Sequence, residues 1–125
     1  MIDHVSIGIS DVDAAGEFYD AVLSPLGYER YVDAEEMIGY TSGTGNSAFF
    51  LRLESGVQPP SAGSHVAFAA PDRAAVNEFH RRAVEAGADD DGEPGLRPEY
   101  SDHYYAAYLV DPYGYRIEAV TRGPE

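Results

Sequence analysis

The sequence contains no cysteine and no lysine. Without cysteine there can be no disulfide, no cysteine-ligated zinc or iron–sulfur cluster, and no thiol nucleophile. All eight basic residues are arginines, set against 22 acidic ones, for a formal net charge of −14. Such a field repels phosphate backbones and anionic lipid surfaces, so the composition argues against nucleic-acid and membrane partners. No apolar run approaches the ~18 residues of a membrane span. The opening Met1-Ile2-Asp3-His4 has no basic region followed by an apolar stretch, so a cytoplasmic protein is expected. Acid-rich, lysine-free composition suits a high-salt cytoplasm, where ions screen self-repulsion. It equally suits a genome that prefers arginine codons.

A chain of 125 residues that is 44% hydrophobic has room for one compact domain with a real core, assigned to 1–125. Within it lies a repeat. Asp3-His4-Val5-Ser6-Ile7-Gly8-Ile9-Ser10-Asp11 matches Ser64-His65-Val66-Ala67-Phe68-Ala69-Ala70-Pro71-Asp72 at an offset of 61 residues. The match runs on into Glu17-Phe18 against Glu78-Phe79, and both halves then reach a glycine, Gly27 and Gly87. Two like modules are expected, 1–55 and 63–122, joined by a linker at 56–62 that contains Pro59 and Pro60.

Each half opens with an alternating strand, Val5, Ile7 and Ile9 in one and Val66, Phe68 and Ala70 in the other. A helix follows each. Ser10 or Asp11 caps the first, whose apolar stripe is Val12, Ala15, Phe18, Tyr19, Val22 and Leu23. Asp72 caps the second, with Val76, Phe79, Ala83 and Ala86 inward and Gly87 as the stop. Strands are predicted at Gly27–Val32, Met37–Thr41, Ala48–Leu53, Tyr104–Val110 and Tyr115–Thr121, the last two joined by the turn Asp111-Pro112-Tyr113-Gly114. Ala88–Pro98, rich in glycine, proline and aspartate, reads as mostly loop, with Asp89-Asp90-Asp91 a solvated acidic turn. Gly43-Thr44-Gly45-Asn46-Ser47-Ala48 opens no helix and reads as a hairpin loop rather than a dinucleotide-binding turn.

Parity carries a functional consequence. If Val5, Ile7 and Ile9 face the helix, His4 faces away, and His65 does likewise. With Ile117 and Ala119 on the helix side, Glu118 joins the histidines. Two imidazoles and one carboxylate from three strands suit a divalent first-row metal and leave positions open to water and substrate. Singly, a strand histidine is most often a hydrogen-bonded surface residue. Equivalent placement in both modules is what favours the metal. His80, on the second helix, reads as structural or solvated.

The opening Ile2-Asp3-His4-Val5 with Phe18-Tyr19, the central His65-Val66-Ala67-Phe68 and the closing Asp111-Pro112-Tyr113-Gly114-Tyr115-Arg116-Ile117-Glu118 resemble the vicinal oxygen chelate superfamily over nearly the whole chain. That superfamily includes glyoxalase, bleomycin-resistance, fosfomycin-resistance and extradiol dioxygenase proteins. The resemblance implies an α+β fold of two tandem βαβββ modules whose curved mixed sheets form a metal-holding cup. It carries the ligand roles onto His4, His65 and Glu118. It also implies a homodimer and a small-molecule substrate that chelates through adjacent oxygens. Iron, manganese, zinc, nickel and cobalt all suit the donor set.

Glyoxalases of that family place a fourth ligand on the last strand of the first module. The best-aligned position here is Leu51, which cannot ligate, and Glu54 has the wrong parity. The three-ligand pattern resembles extradiol dioxygenases and fosfomycin-resistance enzymes. For the former, Glu99, Tyr100 and Ser101 stand where a catalytic histidine is expected, and His103 has the wrong spacing. Six of the ten tyrosines lie between Tyr100 and Tyr115. Tyr100 and Tyr104 are candidates to bind substrate, Tyr108 to supply a proton beside Glu118, and Arg97 to hold an anionic group. A metal-dependent lyase, isomerase or dioxygenase is the expected function. The alternatives are a metal-free protein that sequesters a drug or other small molecule, and an enzyme that transfers a thiol to an epoxide.

Overall fold

The computed structural model describes residues 1–43, 47–58 and 60–125. Thr44–Asn46 of the hairpin loop and Pro59 of the linker lie outside the described residues. The chain divides into two compact units, Met1–Gln58 and Pro59–Glu125.

In the first unit, strand β1 (His4–Ile9) leads into helix α1 (Val12–Leu23), a 3-10 turn (Ser24–Leu26), and strands β2 (Glu29–Ala34), β3 (Met37–Thr41) and β4 (Ala48–Leu53). In the second, β5 (Val66–Ala69) leads into α2 (Arg73–Glu85), then β6 (Asp89–Leu96), β7 (Tyr105–Val110) and β8 (Arg116–Thr121). The sheets run β1-β4-β3-β2 and β5-β8-β7-β6. In each, the first strand lies parallel to the last and the other pairings are antiparallel. The α+β fold of two tandem βαβββ modules read from the sequence is the fold observed. No described helix is long and apolar enough to cross a membrane.

The helices start and stop where local chemistry dictates. The Asp11 carboxylate accepts from the Ala14 N–H at 3.1 Å, and the Asp72 carboxylate from Ala75 at 2.8 Å. Gly87 ends the α2 turn with φ at 104°, a conformation that side chains with a Cβ resist. Ala15, Tyr19, Val22 and Leu23 of α1 are fully buried, as are Val76, Phe79 and Ala83 of α2. Ala86, expected inward, is exposed because α2 ends at Glu85, and Ala75 is buried one turn before Phe79. Each fully buried large side chain contributes roughly 1.5–3 kcal/mol.

Registers define the opposite faces. Ile7, Leu51 and Ile38 align across β1, β4 and β3 beneath α1. Ile117 aligns with Val66 and Leu109 beneath α2. The alternate residues form an open face on each sheet, free of its own helix.

Two expectations need correction. The segment read as mostly loop is strand β6. Its hydrogen bonds come from β7, with the register slipping on either side of Gly92. Composition weighed against a strand, but Gly92 is needed there: a Cβ would stand 2.9 Å from Tyr108 Cδ2. The aspartates are accordingly not a free acidic turn. Asp90 pairs with His80 of α2 at 2.9 Å and Asp91 with Arg116 of β8 at 2.8 Å. Second, β2 begins at Glu29 and runs to Ala34, because Tyr28 still bonds back to Leu23 and closes the 3-10 turn.

Candidate functional site

On the open face of the second sheet, Glu118 sits in β8 between Ala67 of β5 and Tyr108 of β7. It is 1% exposed, one of two buried charged or polar residues among those described. Its Oε1 lies 3.0 Å from His65 Nε2, and its Oε2 accepts a short hydrogen bond from the Tyr104 hydroxyl. No arginine reaches this carboxylate; among the described residues its ion-pair contact is His65.

The tyrosine cluster surrounds that carboxylate. The Tyr104 ring lies 5.1 Å from that of Tyr100, tilted at 59°, and the Arg122 guanidinium lies 4.9 Å over it. Burial, then the hydrogen bond to Glu118, pushes the Tyr104 phenol well above its usual range. Burial, then the nearby Glu118 charge, pushes Tyr108 up as well. Arg97 lies 5.3 Å over the Tyr108 ring, with its Nη2 donating to the Glu93 carbonyl at 2.6 Å. Arg97, Tyr100 and Tyr108 share a cleft of about 270 Å³ with Asp91 and Glu99. The hydrogen-bond partners of Glu118 are His65 and Tyr104, not His103. The sharp turn at Asp111 that aims β8 is fixed by the Asp111 carboxylate, which accepts from the N–H groups of Tyr113 and Tyr115.

His4 occupies the open face of the first sheet. Its Nδ1 is hydrogen-bonded at 2.8 Å to Asp3, and its ring meets Phe50 edge-on at 5.6 Å. The carboxylate engages Nδ1 on a side chain that is 56% exposed, an arrangement that keeps the other ring nitrogen available to a metal. Among the described residues, no group of three or more histidine, aspartate and glutamate side chains is gathered at one point. Within their own units, Glu118 pairs with His65 and His4 with Asp3.

The fourth-ligand position requires a correction. Leu51 aligns with Ile7 and Ile38 and is wholly buried beneath α1, so it belongs to the wrong face. Glu118 pairs with Ala67, whose repeat equivalent is Ser6, and Ser6 pairs with Phe50. The first-module counterpart of Glu118 is therefore Phe50. The same parity that located Glu118 would have found it. Glu54 also differs from expectation. Its carboxylate folds over Gly8, where a Cβ would stand 2.8 Å from Oε1. That is four residues along β1 from His4, a backbone span of roughly 13 Å.

Sequence reasoning missed the residues around Phe50. A groove of about 280 Å³ on this face is lined by His4, Ser6, Tyr31, Met37, Phe50 and Arg52, together with Asp3 and Ala48.

Comparison with known proteins agrees with this architecture. The family model described as Glyoxalase/Bleomycin resistance protein/Dioxygenase superfamily matches residues 1–119. A search of the curated proteins returns no match. Among solved structures, a glyoxalase/bleomycin resistance protein from Albidiferax ferrireducens T118 is 29% identical, with a TM-score of 0.84 over 98% of this chain and 99% of that one. A glyoxalase-related enzyme from Fulvimarina pelagi is 21% identical, with a TM-score of 0.70 over 96% of this chain and 86% of that one. A fosfomycin resistance protein from Mesorhizobium loti is 18% identical, with a TM-score of 0.70 over 99% of this chain and 92% of that one. The last two are alike in fold.

Proposed function

The chain belongs to the glyoxalase, bleomycin resistance protein and dioxygenase superfamily, and from that premise we propose that it is a divalent-metal-dependent enzyme. Its substrate is a small molecule that chelates through adjacent oxygens, and its reaction is of the lyase, isomerase or dioxygenase type. His4, His65 and Glu118 are the ligands, and the working form is a homodimer.

The observation that carries this reading is Glu118. A buried carboxylate ordinarily takes an arginine, or picks up a proton, because an isolated charge out of water is costly. Glu118 has instead a histidine nitrogen at 3.0 Å and one phenol. His65 Nε2 and Glu118 Oε1, 3.0 Å apart, are near enough that both would hold one ion. His4, with its Nδ1 held by Asp3, supplies the third ligand and the second nitrogen. When bound, the ion acts as a Lewis acid on the substrate oxygens. The rest is the work of the chain. Tyr104 holds Glu118 Oε2 and leaves Oε1 as the ligating oxygen. Tyr108, directly across from Glu118 on β7, presents a phenol O–H as proton donor. Arg97 and Tyr100 line the approach. Nitrogen and oxygen donors in this mixture accept iron, manganese, zinc, nickel or cobalt without choosing among them.

With Phe50 opposite Ser6, the set has three protein ligands. A four-ligand glyoxalase site is disfavoured, because losing one carboxylate changes both charge and geometry. A metal-free binding role is the second reading, supported by the His65–Glu118 hydrogen bond, which satisfies both partners as it stands. Elemental analysis of protein purified without chelators separates the two. About one equivalent of metal per chain supports the enzyme reading, and a protein that neither carries nor takes up metal contradicts it.

A further inference from the structure

We propose that Phe50, Tyr31 and Arg52, on the open face of the first sheet, form a subsite for a small aromatic carboxylate. The ring lies on Phe50 and the carboxylate on Arg52.

The floor is built into the strands. A Cβ on Gly39 would fall 2.6 Å from Phe50 Cε1 and 2.8 Å from Cδ1, so the Phe50 ring rests against the β3 backbone in a space that only glycine leaves open. His4 bounds that ring edge-on and Tyr31 lies 6.1 Å away at 52°, half exposed. These are the offset geometries in which an added ring finds further favourable contact. The groove of about 280 Å³ has room for one small ring and its substituents.

The charge argument is independent. Arg30, Arg73, Arg81, Arg82 and Arg116 each have a carboxylate within 4.0 Å. Arg97 and Arg122 lie on tyrosine rings. Among the described residues Arg52 has neither, in a chain with 22 acidic side chains. The neighbouring Glu54 sits over Gly8, beyond ion-pair reach of Arg52, and Asp3 is engaged with His4 at the other end of the groove. A guanidinium free of carboxylates, beside an aromatic floor, favours a planar anion whose two oxygens match its fork.

Register fixes the direction. Arg52 pairs with Gly8 and Met37, Phe50 with Ser6 and Gly39, and Ala48 with His4 and Thr41. These are three successive rows on one face, each about 6.6 Å from the next. A carboxylate at Arg52 thus turns the far edge of the ring toward His4. The use of that orientation in a reaction rests on His4 being a metal ligand; the binding itself does not.

The test is an amide NMR titration of the metal-stripped full chain with benzoate, beside its uncharged analogue benzamide and the non-aromatic cyclohexanecarboxylate. Saturable shifts are expected at Gly39, Phe50 and Arg52 with benzoate, and weaker binding of both analogues. Arg52→Gln should lower benzoate affinity about tenfold, and Phe50→Leu severalfold. Glu54→Gln, by removing a competing negative charge, should raise it. No saturable shift on this face, equal binding of benzamide, or an unchanged Arg52→Gln would overturn the proposal. Manganese titration of the same proteins keeps the two readings apart. Arg52→Gln should bind the ion like the parent, and a parent that binds benzoate but no ion sinks the metal site while the subsite stands.

Discussion

Two carboxylates, each touched by a tyrosine, are handled in opposite ways in the two units. Asp20 on α1 accepts two hydrogen bonds from Arg30, at 2.7 and 2.9 Å, and one from the Tyr40 hydroxyl at 2.8 Å. Tyr40 also donates to the Gly16 carbonyl. The Asp20 side chain is 46% exposed, so water assists a charge that is already neutralised. Glu118 is 2% exposed by side chain, has no arginine, and meets a histidine and a phenol. The first cluster is closed and ties α1 to β2 and β3. The second is more deeply buried and has less positive charge around it, which is the arrangement expected where a cation is to be received. Burial of a carboxylate therefore says little; what surrounds it separates a structural ion pair from a candidate site.

The largest expected difference is in metal affinity. Glu118→Gln and His65→Ala should each lower it at least a hundredfold, since on the proposed reading each removes a ligand rather than a supporting hydrogen bond. Asp20→Asn should leave it unchanged, and equal losses in both clusters would erase the contrast. Titration calorimetry reads this directly.

Stability should show the reverse order. Asp20→Ala leaves Arg30 the exposed Asp33 contact and Tyr40 the Gly16 carbonyl, and should cost about 1–2 kcal/mol, discounted for the exposure of the pair. Glu118→Gln in metal-free protein should cost less, because it removes a buried charge with no cationic partner fixed beside it. Urea unfolding of both variants checks the order. If Glu118→Gln is the more damaging, the second cluster is structural.

Alkaline pH offers a smaller test of the closed cluster. Burial, then the bond to Asp20, pushes the Tyr40 phenol above its ordinary value of 10.0. The folded chain therefore keeps a proton that the unfolded chain releases. Stability is fully present below pH 10 and falls as pH rises toward the folded value. Tyr40→Phe should be less stable at neutral pH by about 1 kcal/mol and should lose part of that alkaline slope. Thermal melts from pH 8 to 11 would show it, and identical slopes in the two proteins would contradict it.

The smallest effect concerns the whole chain. At about 0.01 M ionic strength the Debye length grows to ~30 Å, so the −14 charge repels itself across the molecule. The melting temperature should rise with salt, and a flat profile would remove electrostatic self-repulsion from the picture.

Much of the frame was legible because it follows from periodicity. The repeat, both helix caps and the parity that sets Glu118 opposite Ile117 are local or nearly local features. Strand β6 was not legible. Its glycines and Pro94 weigh against a strand, and only the partner β7 and the packing of Tyr108 over Gly92 make it one. Phe50 is not legible in the family pattern, which points to Leu51; strand register places Leu51 beneath α1 and Phe50 beside Ser6 on the open face. The Tyr104 bond to Glu118 depends on the turn at 97–104, where the Arg97 N–H donates to the Tyr104 carbonyl at 2.7 Å. That turn brings the phenol back over β8 in a way that no short-range pattern encodes.

The most direct test of the central claim is a manganese titration of the chelator-stripped protein beside Glu118→Gln, with melting temperatures recorded on both metal-free forms. The expected result is one saturable site per chain in the parent and none in the variant, with the variant melting no lower than Asp20→Ala. Absence of binding in the parent, or equal binding in both, would show that Glu118 is not a ligand and that its cluster is structural, like the one around Asp20.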